Sequence, residues 1–367
     1  MRICHITLKH HVYSDSRIME RMAKSSSLDS DVCILTFGED SSSLGRLEVM
    51  SVGSQKKNTL INFYRLLKKS LLMNADVYHI HEIPLMIIGV FLKIIGKKVI
   101  MDFHEDFEAE LYDKPYLNKL SASIIKCFYI PFKVLATKIF DHIILAEKSY
   151  IDKFKHVSNK TTIIRNYPIT SKFNFRQERV NKDLSIVYTG IISADRGIKN
   201  IIEALNEYNE NSSNQITLDL IGRINDPMLE KYVNDESKRS EGRISWLGQK
   251  KYSEILENLT NYDVGFSALH DRENYRNSLP TKILEYGSAG LYSIVSDLPI
   301  SHDYIIDGFN GSIVPPNNSS AVYKCLHSLP SVLDSIKREE LRSHIIENFQ
   351  WSNEFKKLEK VYKEVKG

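Results

Sequence analysis

Short apolar runs alternate with amphipathic stretches along most of this chain, and the alternation comes in two successive series. In the first, RICHITL (2–8) leads through a polar loop to an amphipathic segment at about 15–27, and apolar runs follow at 31–37, 76–81, 98–104 and 142–147. Helical periodicity fills the intervals at about 58–73, 84–96 and 116–140. Apolar runs of this length belong to strands buried on both faces, so the pattern predicts a parallel sheet covered by helices on both sides. The polar, weakly periodic segment 170–183 reads as a linker. Behind it a second series places strands at 184–190, 216–222, 243–248, 263–269, 292–297 and 311–315. Its helices fall at about 197–208, 226–238, 252–260, 280–289, 301–306, 319–329 and 337–347. The predicted fold class is α/β, with two Rossmann-like doubly wound domains at 1–168 and 169–348 and a C-terminal helix at about 349–367 that packs back on the first. Ligands of such sheets bind at the carboxyl ends of the strands, which makes a cleft between the two sheets the expected site.

The length of 367 residues is long for one hydrophobic core and agrees with two domains. A net charge of +3 does not call for a nucleic-acid partner, and none is expected. Cys4, Cys33, Cys127 and Cys325 form no CxxC pair and have mainly apolar neighbours, so buried thiols in a reducing compartment are expected. The N-terminus lacks the apolar core and cleavage site of a signal peptide, and no uninterrupted apolar run reaches the ~18 residues of a bilayer span. A cytoplasmic protein, or one held peripherally on the cytoplasmic face of the inner membrane, is expected.

The segment NSLPTKILEYGSAGLYSIVSD (277–297) is the most informative for chemistry. Pro280 stands at the start of a helix, with Lys282 and Glu285 three residues apart on one face. A helix N-terminus offers backbone N–H groups and a positive dipole end that suit a diphosphate, and a carboxylate one turn in can accept from two ribose hydroxyls. The same spacing also describes a capped surface helix with an ordinary Lys/Glu pair.

This block resembles the donor-binding motif of family 4 glycosyltransferases, retaining enzymes of the GT-B fold. Glu285 matches the second of the family's two motif glutamates, whereas Asn277 stands where the first is usual, in the pattern Asn-x-x-Pro-x-Lys-x-x-Glu-Tyr. The resemblance implies donor contacts from Asn277, Ser278, Leu279, Pro280, Thr281 and Glu285. A second matching block, SIVYTGIISADRGIKNIIEAL (185–205), supplies Gly190, Arg196 and Gly197, with Ile191 where many relatives carry another arginine. Arg196 can clamp a diphosphate with its planar fork, and phosphate charge then falls mainly to Arg196 and Lys282. Gly222 ends the next strand and joins the implied donor set. A third block, 243–269, implies that backbone around Trp246, Leu247 and Gly248 meets the nucleotide base, the Trp246 ring itself reading as core.

In the first half, KVIMDFHEDF (98–107) and the Asp15-Ser16-Arg17 sequence resemble a subgroup of the same family. The resemblance places His104 near the donor sugar or acceptor, with Asp15, Arg17 and Glu105 on the acceptor side and Asn166 closing the N-terminal domain. Three stretches, 64–73, 84–98 and 117–140, mix apolar and basic residues. The first two read as covering helices. The third carries Lys119, Lys126, Lys133 and Lys138 and no acid, a pattern that fits peripheral contact with an anionic membrane as well as a buried helix with snorkelling lysines.

The sequence thus predicts a retaining glycosyltransferase that takes a nucleotide-sugar, UDP-linked by family frequency, as substrate and transfers the sugar to a glycan or lipid-linked acceptor of cell-surface polysaccharide or lipopolysaccharide synthesis. No cofactor and no metal are expected, since no DxD-type motif is required when a helix dipole and basic residues face the diphosphate. His104, Arg196 and Lys282 are the expected catalytic groups. A metal-dependent hydrolase built on His79, His81, Asp102, His104 and Glu105, a nucleotide-sugar epimerase, and an inactive sugar-nucleotide-binding partner of another transferase remain as alternatives. A dehydrogenase is disfavoured because no GxGxxG follows the first strand of either half.

Overall fold

The computed structural model describes residues 1–38, 41–56, 58–108, 111, 118–179 and 183–367, and the side chain of Lys119 also lies outside the description. Two compact units result: Met1–Asn166 together with Trp351–Gly367, and Tyr167–Gln350.

The first unit is built on β1 (Arg2–Ile6), β2 (Asp31–Thr36), β3 (Ser42–Leu44), β4 (Leu47–Ser51), β5 (Val77–Ile80), β6 (Lys98–Phe103), β7 (His142–Leu145) and β8 (Thr161–Ile163). Their order is β3-β4-β2-β1-β5-β6-β7-β8, parallel except for the antiparallel β3–β4 pair. Helix α1 (Ser16–Ala23) is wound in the wider π register and covers one face through Ile18, Met19 and Ala23. Helices α2 (Thr59–Met73), α3 (Met86–Ile94) and α4 (Lys119–Ile139) cover the other through Leu66, Ile88, Leu92 and Ala136. Strands β3, β4 and β8 escaped the sequence reading for a physical reason: β3 is exposed throughout and β4 and β8 are only half-buried, so none carries a continuous apolar run.

The second unit holds β9 (Leu184–Thr189), α5 (Ile198–Asn211), β10 (Ile216–Ile221), α6 (Pro227–Arg239), β11 (Ile244–Gly248), α7 (Tyr252–Asn258), β12 (Val264–Ser267), α8 (Thr281–Ser288), β13 (Tyr292–Ser296), β14 (Gly311–Val314), α9 (Ser319–Ser335) and α10 (Arg338–Asn348). The strand order is β11-β10-β9-β12-β13-β14, parallel throughout. The helix expected at 301–306 is a 3₁₀ turn, Pro299–Asp303. The final helix, α11 (Trp351–Lys366), belongs to the first unit, where Trp351 bonds to Ser25 and Arg165 N–H donates to Glu354 at 2.8 Å.

Three expectations change. The segment read as a linker is partly packed core: Phe173 lies buried with Val187, Leu256 and Tyr286, while residues 180–182 lie outside the described residues. Cys4, Cys33 and Cys325 are buried, but Cys127 is exposed on α4. Helix α4 is long and apolar enough to cross a membrane by length and composition over Leu120–Ile139, yet Lys133 does not face outward. Its ammonium is buried, donates to Glu108 at 2.6 Å and sits over the Tyr129 and Phe154 rings. Residue 117 of the expected membrane segment lies outside the described residues.

Candidate functional site

In the second unit the strand order reverses between β9 and β12: the chain runs outward through β10 and β11, then returns to the other side of β9. Pairing across that junction is confined to Val264–Ile186 and Gly265–Val187. Such a switch point leaves a crevice at the carboxyl ends of the strands, and the donor residues expected from sequence cluster around it.

Backbone closeness decides the glycines here. A β-carbon on Gly222 would lie 1.7 Å from the Gly190 carbonyl oxygen, and one on Gly197 would lie 2.1 Å from the Ala268 carbonyl oxygen. The strand ends are tied by Gly190 N–H to Ile221 O and by Gly222 N–H to Gly248 O, both 2.8 Å, and the Trp246 indole N–H donates to Gly222 O at 2.8 Å. Trp246 packs half-buried against the core, while Leu247 is exposed.

Over this edge lie two cations. Lys282, from the first turn of α8, donates to the Tyr188 hydroxyl at 3.0 Å and stands 4.4 Å from that ring's centroid. Arg196 ends the turn after β9 and interacts with the same phenol. Burial first, and the Arg196 charge second, lower Lys282 from 10.5 to about 7, with Glu285 opposing them. A half-protonated lysine beside a guanidinium is a site that gains from an arriving anion. Glu285 projects from the next turn and accepts from the Tyr252 hydroxyl at 2.7 Å. Asn277 and Ser278 are exposed just before α8, with Pro280 and Thr281 half-buried at its start. Leu279 instead sends its side chain into a cluster with Tyr167, Leu284 and Tyr304, so that side chain is not a ligand contact.

The first unit gathers polar groups at its own switch point, between β1 and β5. Asp102, fully buried, receives Arg17 Nε at 2.8 Å and Nη2 at 2.6 Å, and Arg17 also donates to Ile164 O and Asn166 Oδ1. Arg17, expected on the acceptor side, is 4% exposed; its guanidinium is an internal tie that closes the unit around Asp102. Asp15 caps α1 by accepting from the Arg17 and Ile18 backbone N–H groups. His104 stands half-buried with Nδ1 3.4 Å from Asp102 Oδ2, and that carboxylate outweighs burial to raise its pKa. Glu105 is exposed beyond it. His79 and His81, two of the ligands that a hydrolase would need, are buried inside the sheet rather than opening with Glu105 to solvent.

Residues 170–349 match the family described as glycosyl transferases group 1. The match covers just under half of the chain, almost all of it in the second unit. No curated protein sequence matches the chain. Among solved structures, Anabaena Alr3699/HepE in complex with UDP is similar over 99% of this chain and 100% of its own, with TM-score 0.71 at 12% identity. A glycosyltransferase from Rickettsia africae covers 99% of this chain with 98% of its own, TM-score 0.73 at 16% identity. WaaG, a glycosyltransferase involved in lipopolysaccharide biosynthesis, covers 98% and 99%, TM-score 0.69 at 15% identity. At these identities the likeness establishes the fold, the GT-B pairing of two Rossmann-like domains.

Sequence reading missed three tyrosines of the second unit that set its edge. Tyr286 is fully buried and its hydroxyl accepts from Thr189 N–H at 3.1 Å, which pins α8 to β9; a β-carbon on Gly265 would overlap its ring. Tyr275 donates to Asp195 at 2.7 Å and lies 5.8 Å from the Arg196 guanidinium. Tyr188 carries Lys282. The signal available was the spacing of Ile283 and Tyr286, three residues apart and so on one face of the helix.

Proposed function

We propose that this chain is a glycosyltransferase whose group 1 domain binds a nucleotide-sugar, UDP-linked, and passes the sugar with retention to a hydroxyl of a lipid-linked glycan in cell-surface polysaccharide or lipopolysaccharide synthesis. The observation that carries this reading is the Arg196–Lys282 pair at the β9 switch point of that domain, with Glu285 one turn further on. The complex of the similar Alr3699/HepE with UDP, and the lipopolysaccharide role of the similar WaaG, support the donor and the setting.

In the reaction, the bond from the anomeric carbon to the diphosphate oxygen breaks and a bond to the acceptor oxygen forms on the same face. The acceptor proton passes to the departing phosphate. Arg196 and Lys282 offset the charge that develops on the leaving group, so the protein's work is positioning and electrostatics, without a metal at the diphosphate. Glu285 holds the ribose, and backbone near Leu247 and Gly248 meets the base. His104 hydrogen-bonds a sugar hydroxyl or the acceptor. Membrane contact comes from the outer faces of α2, α3 and α4, where Leu72, Phe91, Ile94, Leu120, Phe128 and Leu135 are exposed, and places the protein on the cytoplasmic leaflet.

Release of nucleoside diphosphate from UDP-, GDP-, ADP- and dTDP-sugars, with a lipid-linked acceptor and with chelator present, tests the reading. Acceptor-dependent UDP release that falls by roughly 100-fold or more in kcat/KM for Arg196→Ala and Lys282→Ala is the expected result. Turnover of donor without any acceptor into an isomeric nucleotide-sugar would establish the epimerase instead.

A further inference from the structure

Three histidines stand together inside the first unit's sheet. His5 on β1 and His79 on β5 are direct neighbours in the parallel register, and His81 follows two residues on, so all three rings project to one face. Their exposures are 0%, 0% and 1%, and ring centroids are 5.1, 5.1 and 4.4 Å apart. One ring nitrogen from each lies within 4.8 Å of those of the other two.

The outer nitrogens of two rings are already held. His81 Nδ1 is 3.2 Å from Asp102 Oδ2, and His79 Nδ1 is 2.8 Å from the Tyr362 hydroxyl. A carboxylate on Nδ1 fixes the proton there and leaves Nε2 of His81 as a lone pair. The protein's own groups do not use up what remains. His81 Nε2 has only His5 Nδ1, at 2.8 Å, and His5 Nε2 and His79 Nε2 have no hydrogen-bond partner among the described residues. Leaving buried polar atoms unmatched is costly, and two in one cluster call for a further occupant.

We propose that His5, His79 and His81 bind a divalent transition-metal ion, zinc by ligand type, with Asp102 and Tyr362 as the outer groups that orient the imidazoles. Neutral imidazoles suit zinc, and a metal-bound histidine ordinarily donates its other ring N–H to a carboxylate or a similar acceptor. Zinc–nitrogen bonds of about 2.0–2.1 Å set neighbouring ligand nitrogens roughly 3.4 Å apart, and the three ring nitrogens already lie within 4.8 Å of one another. Burial keeps the rings unprotonated, as ligands must be: desolvation lowers His5 and His79 well below 6.5 and His81 to about 3. The neighbouring trio His81, Asp102 and His104 is the poorer site, because both Asp102 oxygens already receive Arg17 and the guanidinium repels a cation.

The site is enclosed, so the ion is a structural one taken up as the chain folds. The full chain is purified without nickel resin or chelator and its metal content measured by plasma mass spectrometry. It is then unfolded, stripped of metal and refolded with or without one equivalent of zinc chloride. One zinc per chain, a melting temperature raised by about 5 °C or more on zinc refolding, and loss of the metal in both His5→Ala and His79→Ala are expected. Refolding with cobalt(II) in its place should give visible absorption that free cobalt(II) in the same buffer lacks. Metal well below stoichiometry with identical melting curves in the two refolded samples would overturn the proposal whether or not the variants fold, as would full metal content retained by both variants.

Discussion

Gly222 and Gly248 both follow or end strands at the donor edge, yet they answer to different constraints. A side chain on Gly222 would overlap the Gly190 carbonyl, whereas one on Gly248, at φ +68°, would meet open space. Gly222→Ala should therefore cost at least ~2 kcal/mol, and Gly248→Ala only the ~1–2 kcal/mol of a left-handed backbone; urea unfolding of the two variants measures the difference. Lys282 carries a pH signature. It titrates near 7 when folded and near 10.5 when unfolded, so between those values the unfolded chain holds more protons and its contribution to stability grows as pH rises. Diphosphate favours the charged form and raises that pKa. The complex then holds more protons than the free protein, and nucleotide affinity should fall above pH 7 by up to about tenfold per unit. Calorimetric titration in buffers of different ionisation enthalpy reads this proton uptake, and its absence above pH 7 would mean that Lys282 does not face the phosphates. Glycines, Lys282 and Glu285 were legible because their spacing matches a motif. The inward roles of Leu279 and Arg17 were not, because their burial depends on partners far off in sequence, such as Tyr304 and Asp102.

Among the elements, α4 separates what composition shows from what packing decides. Its four lysines look equivalent in the sequence, but Lys133 is enclosed with Glu108 and two aromatic rings, while Lys138 is exposed. Lys133→Glu should lower stability by about 3–5 kcal/mol, since it sets two carboxylates together out of water. It is therefore a poor probe of membrane contact. Phe128→Asp and Leu135→Asp alter exposed apolar positions and should leave the melting temperature within a few degrees while reducing co-sedimentation with anionic vesicles. Unchanged sedimentation would mean that α4 merely covers the sheet. The central strands of both sheets were legible because each is a continuous apolar run bounded by polar turns. The edges of the first sheet were not: β3 and β8 have three residues each, and edge strands show solvent on one side.

At the scale of the molecule, two α/β series predicted two doubly wound sheets, and the strand orders observed have that form. What the sequence could not display is the register that sets His5 beside His79, or the bond between His79 and Tyr362, 283 residues apart. Helix α11 buries Trp351, Leu358, Val361 and Tyr362 in the first unit. Ending the chain at residue 350 should therefore abolish cooperative unfolding of that unit while leaving the second unit's own transition, as two-phase thermal denaturation by circular dichroism would show. The most direct test of the account is a calorimetric titration of UDP into the full chain at pH 7, with Glu285→Ala titrated beside it. Saturable binding of one UDP per chain is expected, weakened about 10–100-fold in the variant by loss of the charged hydrogen bonds to ribose; equal affinity in the two proteins, or no binding of UDP at all, would overturn the proposed function.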